Sequence, residues 1–149
     1  MNESQFICAC ATARRVARTL TQLYDHALRD AGLEAPQFAL LMTLEKAGPC
    51  TQAALGHRYA LDKTTVSRNV RWLERRGWIE SSVGVDRRQR RVQLTPEGRR
   101  RLALAKPIWR KAQDDLRAEV TAQEWRAMFR AFETVAGAAH RVTRRRREQ

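Results

Sequence analysis

The stretch that most constrains this chain runs from Thr51 to Thr95: TQAALGHRYALDKTTVSRNVRWLERRGWIESSVGVDRRQRRVQLT. Its punctuation predicts helix, turn, helix and then a two-stranded hairpin. Thr51 is placed to cap a short helix over Gln52 to Tyr59, because its hydroxyl can accept an orphan amide of the first turn. Asp62 is placed to cap a second helix from Lys63 to about Arg76. Val66, Val70 and Leu73 fall at i, i+4 and i+7 of that helix, so one face packs inward. Thr64, Thr65, Ser67, Arg68 and Arg71 are left on or beside the opposite face. That set is short hydroxyls and guanidiniums without a carboxylate, which suits base edges and phosphates in a major groove. Gly77 stops the helix in the left-handed position past its end. Residues 78–82 and 91–95 then alternate or run apolar enough for strands, and residues 84–90 form an arginine-rich tip.

The flanking segments predict more helix. Phe6 to about Ala31 keeps i, i+3, i+4 apolar spacing through Val16, Leu20, Leu23, Tyr24, Ala27 and Leu28. Gly32 ends it. Pro36 opens the next helix in a favoured first-turn position. Phe38, Leu41, Met42 and Leu44 supply the apolar face of this second helix, and Gly48-Pro49 closes it. Thr95-Pro96-Glu97 starts a long helix whose inward stripe is Leu102, Ala105, Ile108, Trp109, Ala112 and Leu116. Thr121 and Glu124 form a capping box for the last helix, which carries Trp125, Met128, Phe129, Phe132, Val135, Ala136 and Ala139. The tail contains Arg144-Arg145-Arg146-Arg147.

Composition narrows the partner. The formal charge is +13, from 29 Lys+Arg against 16 Asp+Glu. Such a balance points to a polyanion, with nucleic acid first because the arginines cluster on the hairpin and its preceding helix. A basic but otherwise unremarkable soluble surface is the bland alternative. No apolar run reaches the ~20 residues that span a bilayer, and the N-terminal stretch lacks a signal-peptide pattern. Cys8, Cys10 and Cys50 do not make a disulfide framework, so a reducing cytoplasm is expected. There is no Ser/His/Asp set, no glycine-rich phosphate loop and no paired carboxylates on a shared face, so the residues predict no enzyme and no cofactor. A structural zinc wants four spaced ligands. Cys8 and Cys10 point about 200° apart on a helix, so no metal site is expected.

DKTTVSRNVRWLERRGWIE followed by DRRQRRVQLTPEGRR resembles the winged helix-turn-helix core of the MarR (multiple antibiotic resistance regulator) family. The combination of a TTVSR-type helix, L-E-x-x-G, D-x-R and L-T-x-x-G carries the resemblance, and the flanking helices extend it over nearly the whole chain. It implies a mainly α protein with a small β wing: a single domain with its winged helix-turn-helix over about residues 36–95. Dimerisation helices would span about 5–31 and 96–143, and a basic tail 144–149. The implied activity is transcription regulation by a homodimer. In that frame the D-x-R falls on Asp86 and Arg88. Arg88 would reach the minor groove, where a narrow groove concentrates negative potential, and Asp86 would brace it or a neighbour. Thr51, Lys63, Thr64, Thr65, Ser67, Arg68, Arg71, Arg87 and Arg90 complete the expected DNA-contacting set. Arg75 and Arg76 suit a helix C-terminus on dipole grounds alone and are left out of it.

The terminal helices independently argue for pairing, since one copy would expose aromatic stripes that soluble monomers avoid. Folding back on their own chain is the alternative. Two signals are carried forward. The resemblance places an inducer between the first helix, the second helix and the DNA-reading core, where Phe6, Arg14, Arg18, Tyr24 and Phe38 could receive a small aromatic acid. It also implies, from the family's organic-hydroperoxide sensors, a reactive thiol near the position of Cys10 beside Tyr24, with Cys8 close by. The place of a second sensor tyrosine is held by Ala35. An inert thiol is the alternative, because free cysteines are usually small buried hydrophobes.

The resulting expectation is a homodimeric repressor that binds a pseudo-palindromic operator and is released by a small aromatic ligand or by thiol oxidation. Two rivals remain: a low-specificity architectural DNA-binding protein, and a dimeric module whose basic surface meets an acidic protein.

Overall fold

The computed structural model describes residues 8–59, 61–83 and 90–148. In chain order its elements are α1 (Ala9–Leu28), α2 (Ala35–Ala47), β1 (Cys50–Thr51), α3 (Gln52–Tyr59), α4 (Lys63–Arg75), β2 (Ile79–Val83), β3 (Arg90–Leu94), α5 (Pro96–Ala118) and α6 (Ala122–Arg147). The fold class is the expected one, mainly α with a small β wing. Contacts divide the chain into two compact units, residues 1–110 and 111–149, with the boundary inside α5.

The first unit is built around leucine. Leu28, Leu40, Leu41, Leu55, Leu73 and Leu102 are completely or almost completely withdrawn from solvent, together with Val66, Val70 and Val92. They join Leu33, Phe38, Leu44, Trp78, Ile79, Leu94 and Ala105 in one core. Buried side chains of this size each contribute about 1.5–3 kcal/mol of transfer free energy, which explains why short helices such as α3 hold their shape here. α2 is buried nearly all round: Gln37, Leu40 and Thr43 are withdrawn as well as the expected Phe38, Leu41 and Leu44.

Several boundaries move by local chemistry. α1 gives way at Arg29 to a 3₁₀ turn over Arg29–Ala31, closed by Gly32 at φ 67°. α2 starts at Ala35 with Glu34 as its cap, so Pro36 is not its first residue. Glu34 and Gln37 exchange backbone and side-chain hydrogen bonds as a capping box. Asp25 reinforces this start by accepting the Ala35 amide at 2.6 Å. α4 ends at Arg75, and Gly77 at φ 69° turns the chain toward the wing.

The sheet has three strands in the order β1-β3-β2, all antiparallel. The β2–β3 register runs from Ile79 opposite Leu94 to Val83 opposite Arg90. Two differences from expectation are clear. Trp78 precedes the strand rather than opening it. A third strand, Cys50–Thr51, lies against Val92 and Arg91; two residues after Gly48-Pro49 carry no local strand signal, and only the long-range ladder creates it.

α5 begins as expected. Thr95 Oγ1 accepts the Gly98 amide at 3.0 Å and donates to the Gly77 carbonyl at 2.6 Å. Lys106 of α5 pairs with Glu45 of α2 at 2.6 Å. In the second unit, the Thr121–Glu124 capping box forms in both directions. No residue of α6 is buried. Phe129 and Phe132 are each 46% exposed and Val135 59%. In the first unit, Leu28 is the one buried residue of α1, and Val16 and Leu23 remain exposed. No described helix is long and apolar enough to cross a membrane.

Candidate nucleic-acid interface

The exposed side of α4 forms a groove of about 450 Å³ lined by Lys63, Thr64, Ser67, Arg68, Arg71 and Arg75. Helical phase explains the grouping. Residues three, four and seven apart stack on one face, and 64, 67/68, 71 and 75 follow that rhythm. The opposite face carries Val66, Asn69, Val70 and Leu73 into the core. Asn69 is buried but satisfied, donating from Nδ2 to the Thr65 carbonyl at 3.1 Å.

The nearby carboxylates are engaged elsewhere. Asp62 accepts the Thr65 amide at 2.9 Å and the Thr65 hydroxyl at 2.6 Å. Those bonds, led by the hydroxyl, hold the Asp62 carboxyl below the usual carboxylate range, so it stays charged at the helix N-terminus, where a negative charge is favoured. Glu74 accepts the Ser81 hydroxyl, tying α4 to β2. None of the ion pairs among the described residues involves Lys63, Arg68, Arg71 or Arg75. The groove is therefore cationic, hydroxyl-bearing and free of carboxylate lining, which matches phosphates and guanine edges.

Of the expected contact set, Lys63, Thr64, Ser67, Arg68 and Arg71 come together. Thr65 does not line the groove: its hydroxyl is committed to Asp62. Thr51 is likewise occupied, its Oγ1 accepting the Ala54 amide at 3.2 Å as the cap of α3. Arg90 is exposed at the start of β3. Asp86, Arg87 and Arg88 lie outside the described residues. Arg75 is the residue that sequence reasoning set aside. Its signal was the seven-residue spacing from Arg68, which puts both on one stripe. Arg76 is used differently, with its guanidinium 4.5 Å from the Trp72 ring centroid and 5.8 Å from that of Trp78.

A second feature is a cavity of about 310 Å³ lined by Tyr24 and Leu28 of α1, Ala35, Phe38, Ala39 and Met42 of α2, and Trp109 of α5. Phe38 and Trp109 stack with centroids 5.6 Å apart and planes at 28°. Burial pushes the Tyr24 phenol above its ordinary pKa, so it stays neutral. Of the residues expected to receive an inducer, Tyr24 and Phe38 line this cavity. Arg14 and Arg18 are exposed and do not line it. They sit about 15 and 9 Å before Tyr24 along the helix axis at 1.5 Å per residue. Phe6 lies outside the described residues. The wall that completes the cavity is α5, not the DNA-reading helices.

Cys8 and Cys10 are both exposed at the start of α1, so neither is the buried hydrophobe a free cysteine usually makes. Cys8 is the N-cap residue, without a side-chain capping bond. Cys50 is half-buried; burial raises its thiol pKa, opposed by Arg58 and Arg91.

Fold and groove together define a winged helix-turn-helix DNA-binding protein. Residues 33–89 match the sequence profile of the MarR family. MosR, a transcriptional regulator of M. tuberculosis crystallised in complex with DNA, is 36% identical; the match covers 90% of this chain and 97% of MosR, with a TM-score of 0.81. PcaV, a transcriptional regulator from Streptomyces coelicolor solved with its natural ligand, is 25% identical over 93% of this chain and 97% of its own, with a TM-score of 0.80. YwoH of Bacillus subtilis, described as an uncharacterised HTH-type transcriptional regulator, is 28% identical over 119 residues, which is 78% of this chain and 87% of YwoH. The chain belongs to the MarR family and is a non-enzymatic, DNA-binding transcription regulator.

Proposed function

We propose that this chain is a homodimeric repressor that binds a pseudo-palindromic operator in the cytoplasm and releases it when a small molecule occupies the α1–α2–α5 cavity. The carrying observation is the cationic groove on α4, whose described lining holds Lys63, Arg68, Arg71 and Arg75 and no carboxylate. Two copies related by a two-fold axis would present two such helices to successive major grooves. The DNA complex of MosR supports the DNA-binding part of this reading. Arg68 and Thr64 are the proposed base readers, with Lys63, Ser67, Arg71 and Arg75 alongside. Arg88 is the proposed minor-groove contact of the wing, with Arg87 and Arg90 on phosphates. Arg68→Ala should cost about 1–3 kcal/mol on a duplex selected by the protein and relax discrimination at one base position. Titration of wild type and variant on selected and scrambled duplexes checks this. Equal loss on both would reduce Arg68 to a phosphate contact. In the same titrations Arg88→Ala should weaken binding most where the flanks are A·T-rich.

The cavity changes the expected inducer chemistry. Among the described residues no cation lines it, and an unpaired carboxylate withdrawn from water is costly. A neutral, flat aromatic compound fits the Phe38–Trp109 walls better than an aromatic acid. The ligand-bound PcaV structure supports responsiveness in such a fold. A neutral bicyclic phenol such as 2-naphthol should quench tryptophan fluorescence and release DNA at concentrations at least about tenfold below salicylate, a gap of about 1.4 kcal/mol. Ala39→Trp, which fills the cavity, should abolish that response and leave DNA binding intact. Release by salicylate alone would overturn the assignment.

Exposure of Cys8 and Cys10 keeps thiol oxidation as a second reading, since reachable thiols are the ones that oxidise. Peroxide release that persists in Cys10→Ser would remove Cys10 from it.

A further inference from the structure

The last turns of α6 carry a charge that the α4 groove does not use. From Thr134 to Arg147 the sequence holds Arg141 and Arg144 to Arg147 and not one carboxylate. All of these arginines are exposed, and the helix persists through Arg147. Glu148 approaches Arg144 at 3.8 Å, with both side chains mostly in solvent; such a pair neutralises little.

Their placement is informative. At about 100° per residue, Arg141 and Arg145 lie about 40° apart. Arg144 and Arg147 lie about 60° apart on another side, and Arg146 falls about 100° from either pair. The guanidiniums therefore surround the helix. Like charges at i, i+3 and i, i+4 repel, and the C-terminal dipole relieves this only in the last turn. A membrane-surface helix would keep an apolar face opposite its cations. From Arg141 to Arg147 no such face is kept; Val142 is the one apolar residue among the arginines. A surface cationic on all sides fits a phosphate backbone, which accepts guanidiniums without regard to base sequence.

We propose that the C-terminal turns of α6 form a second, sequence-independent contact to double-stranded DNA, gripping phosphates while α4 reads bases. The proposal rests on the DNA-regulator reading above. It assigns to one chain a specific element and a non-specific one, so that affinity and discrimination are set by different helices.

The test uses the full chain with Arg144, Arg145, Arg146 and Arg147 replaced together, once by glutamine and once by lysine. Binding is measured across a salt series on a duplex selected by the wild type and on a scrambled duplex of equal length. The glutamine variant should flatten the slope of log K against log salt by about 2–4 units per dimer, at roughly 0.9 per lost phosphate contact. Its affinity should fall about 10–100-fold on both duplexes, leaving their ratio unchanged. The lysine variant should keep most of the slope, which separates loss of charge from loss of helix. An unchanged slope in the glutamine variant overturns the proposal, as does a loss confined to the selected duplex. A third arm uses vesicles containing phosphatidylglycerol. Arginine-dependent vesicle binding with unaltered DNA slopes assigns the segment to a membrane and also overturns it. A wild type that shows no preference for the selected duplex would instead sink the regulator reading itself.

Discussion

Replacing Gly98 with alanine is expected to destabilise the protein by about 2–3 kcal/mol, the upper part of the roughly 1–3 kcal/mol range for forcing atoms into filled space. In a chain of this size that lowers Tm by roughly 4–12 °C. Gly98 sits in the first turn of α5, directly over the backbone of Trp78. A β-carbon there would be driven into the Trp78 carbonyl, with the Trp78 carbonyl carbon and Cα close behind. Neither side can yield easily. The Trp78 carbonyl accepts the Thr95 amide at 3.1 Å, and the Trp78 amide donates to Leu73 at 3.0 Å. The Trp78 ring is buried and meets Trp72 edge-on at 5.5 Å. Displacing Trp78 therefore moves the C-terminal end of α4, so DNA affinity should fall along with stability. Gly77→Ala is the internal comparison. It has open space around the added carbon but a φ of 69°, so only left-handed backbone strain applies, about 1–2 kcal/mol. Thermal unfolding followed by circular dichroism ranks the two. A Gly98→Ala protein with the wild-type Tm would show that α5 can slide away from Trp78 without loss.

These contacts give physical content to the motifs by which the chain was legible. In L-E-x-x-G, Leu73 fills the core, Glu74 accepts the Ser81 hydroxyl, and Gly77 makes the left-handed turn. In L-T-x-x-G, Leu94 is buried, Thr95 caps α5 while holding the Gly77 carbonyl, and Gly98 permits the close approach to Trp78. Leu73, Gly77 and Thr95 are set by burial or by local backbone chemistry, which is why residue type and spacing predicted their roles; the Glu74–Ser81 and Gly98–Trp78 contacts join residues distant in the chain and were not predicted. What escaped was set by distance in the chain. β1 exists only because Cys50 and Thr51 meet Val92 and Arg91 across the sheet. Arg75 carried two signals at once, dipole and stripe, and only the groove's geometry shows that it shares a wall with Arg68 and Arg71. Arg14 and Arg18 share α1 with Tyr24, but a helix advances about 1.5 Å per residue, which sets them apart from the cavity that Tyr24 lines. Pro107 lies inside α5 without ending it, although a proline costs an interior helix about 3 kcal/mol in isolation.

Replacing Phe132 with aspartate is expected to turn the protein into a monomer and to weaken operator binding by 100-fold or more. The argument starts from exposure. Phe129 and Phe132 are each 46% exposed and Val135 59%, all on one stripe of α6 at three- and four-residue spacing, continued by Trp125 packed edge-on against Phe129 at 5.3 Å. α1 separately leaves Val16 and Leu23 exposed. Contiguous aromatic surface of this kind marks an interface, and the proposed occupant is a second copy of the same chain, because a self-complementary patch closes with two-fold symmetry. Aspartate at its centre would bury an unpaired charge. Once the copies separate, each α4 groove must hold its half-site alone, and the effective-concentration advantage of roughly 10²–10⁴ from linked binding is lost. Sedimentation equilibrium and DNA titration of the same sample test both consequences. Phe132→Ser, which removes the ring without adding charge, separates a lost interface from a lost fold: it should shift the monomer–dimer equilibrium while keeping wild-type helicity. A soluble Phe132→Asp protein that still sediments as a dimer and binds the operator with wild-type affinity would place the interface elsewhere and leave the α6 stripe without this role.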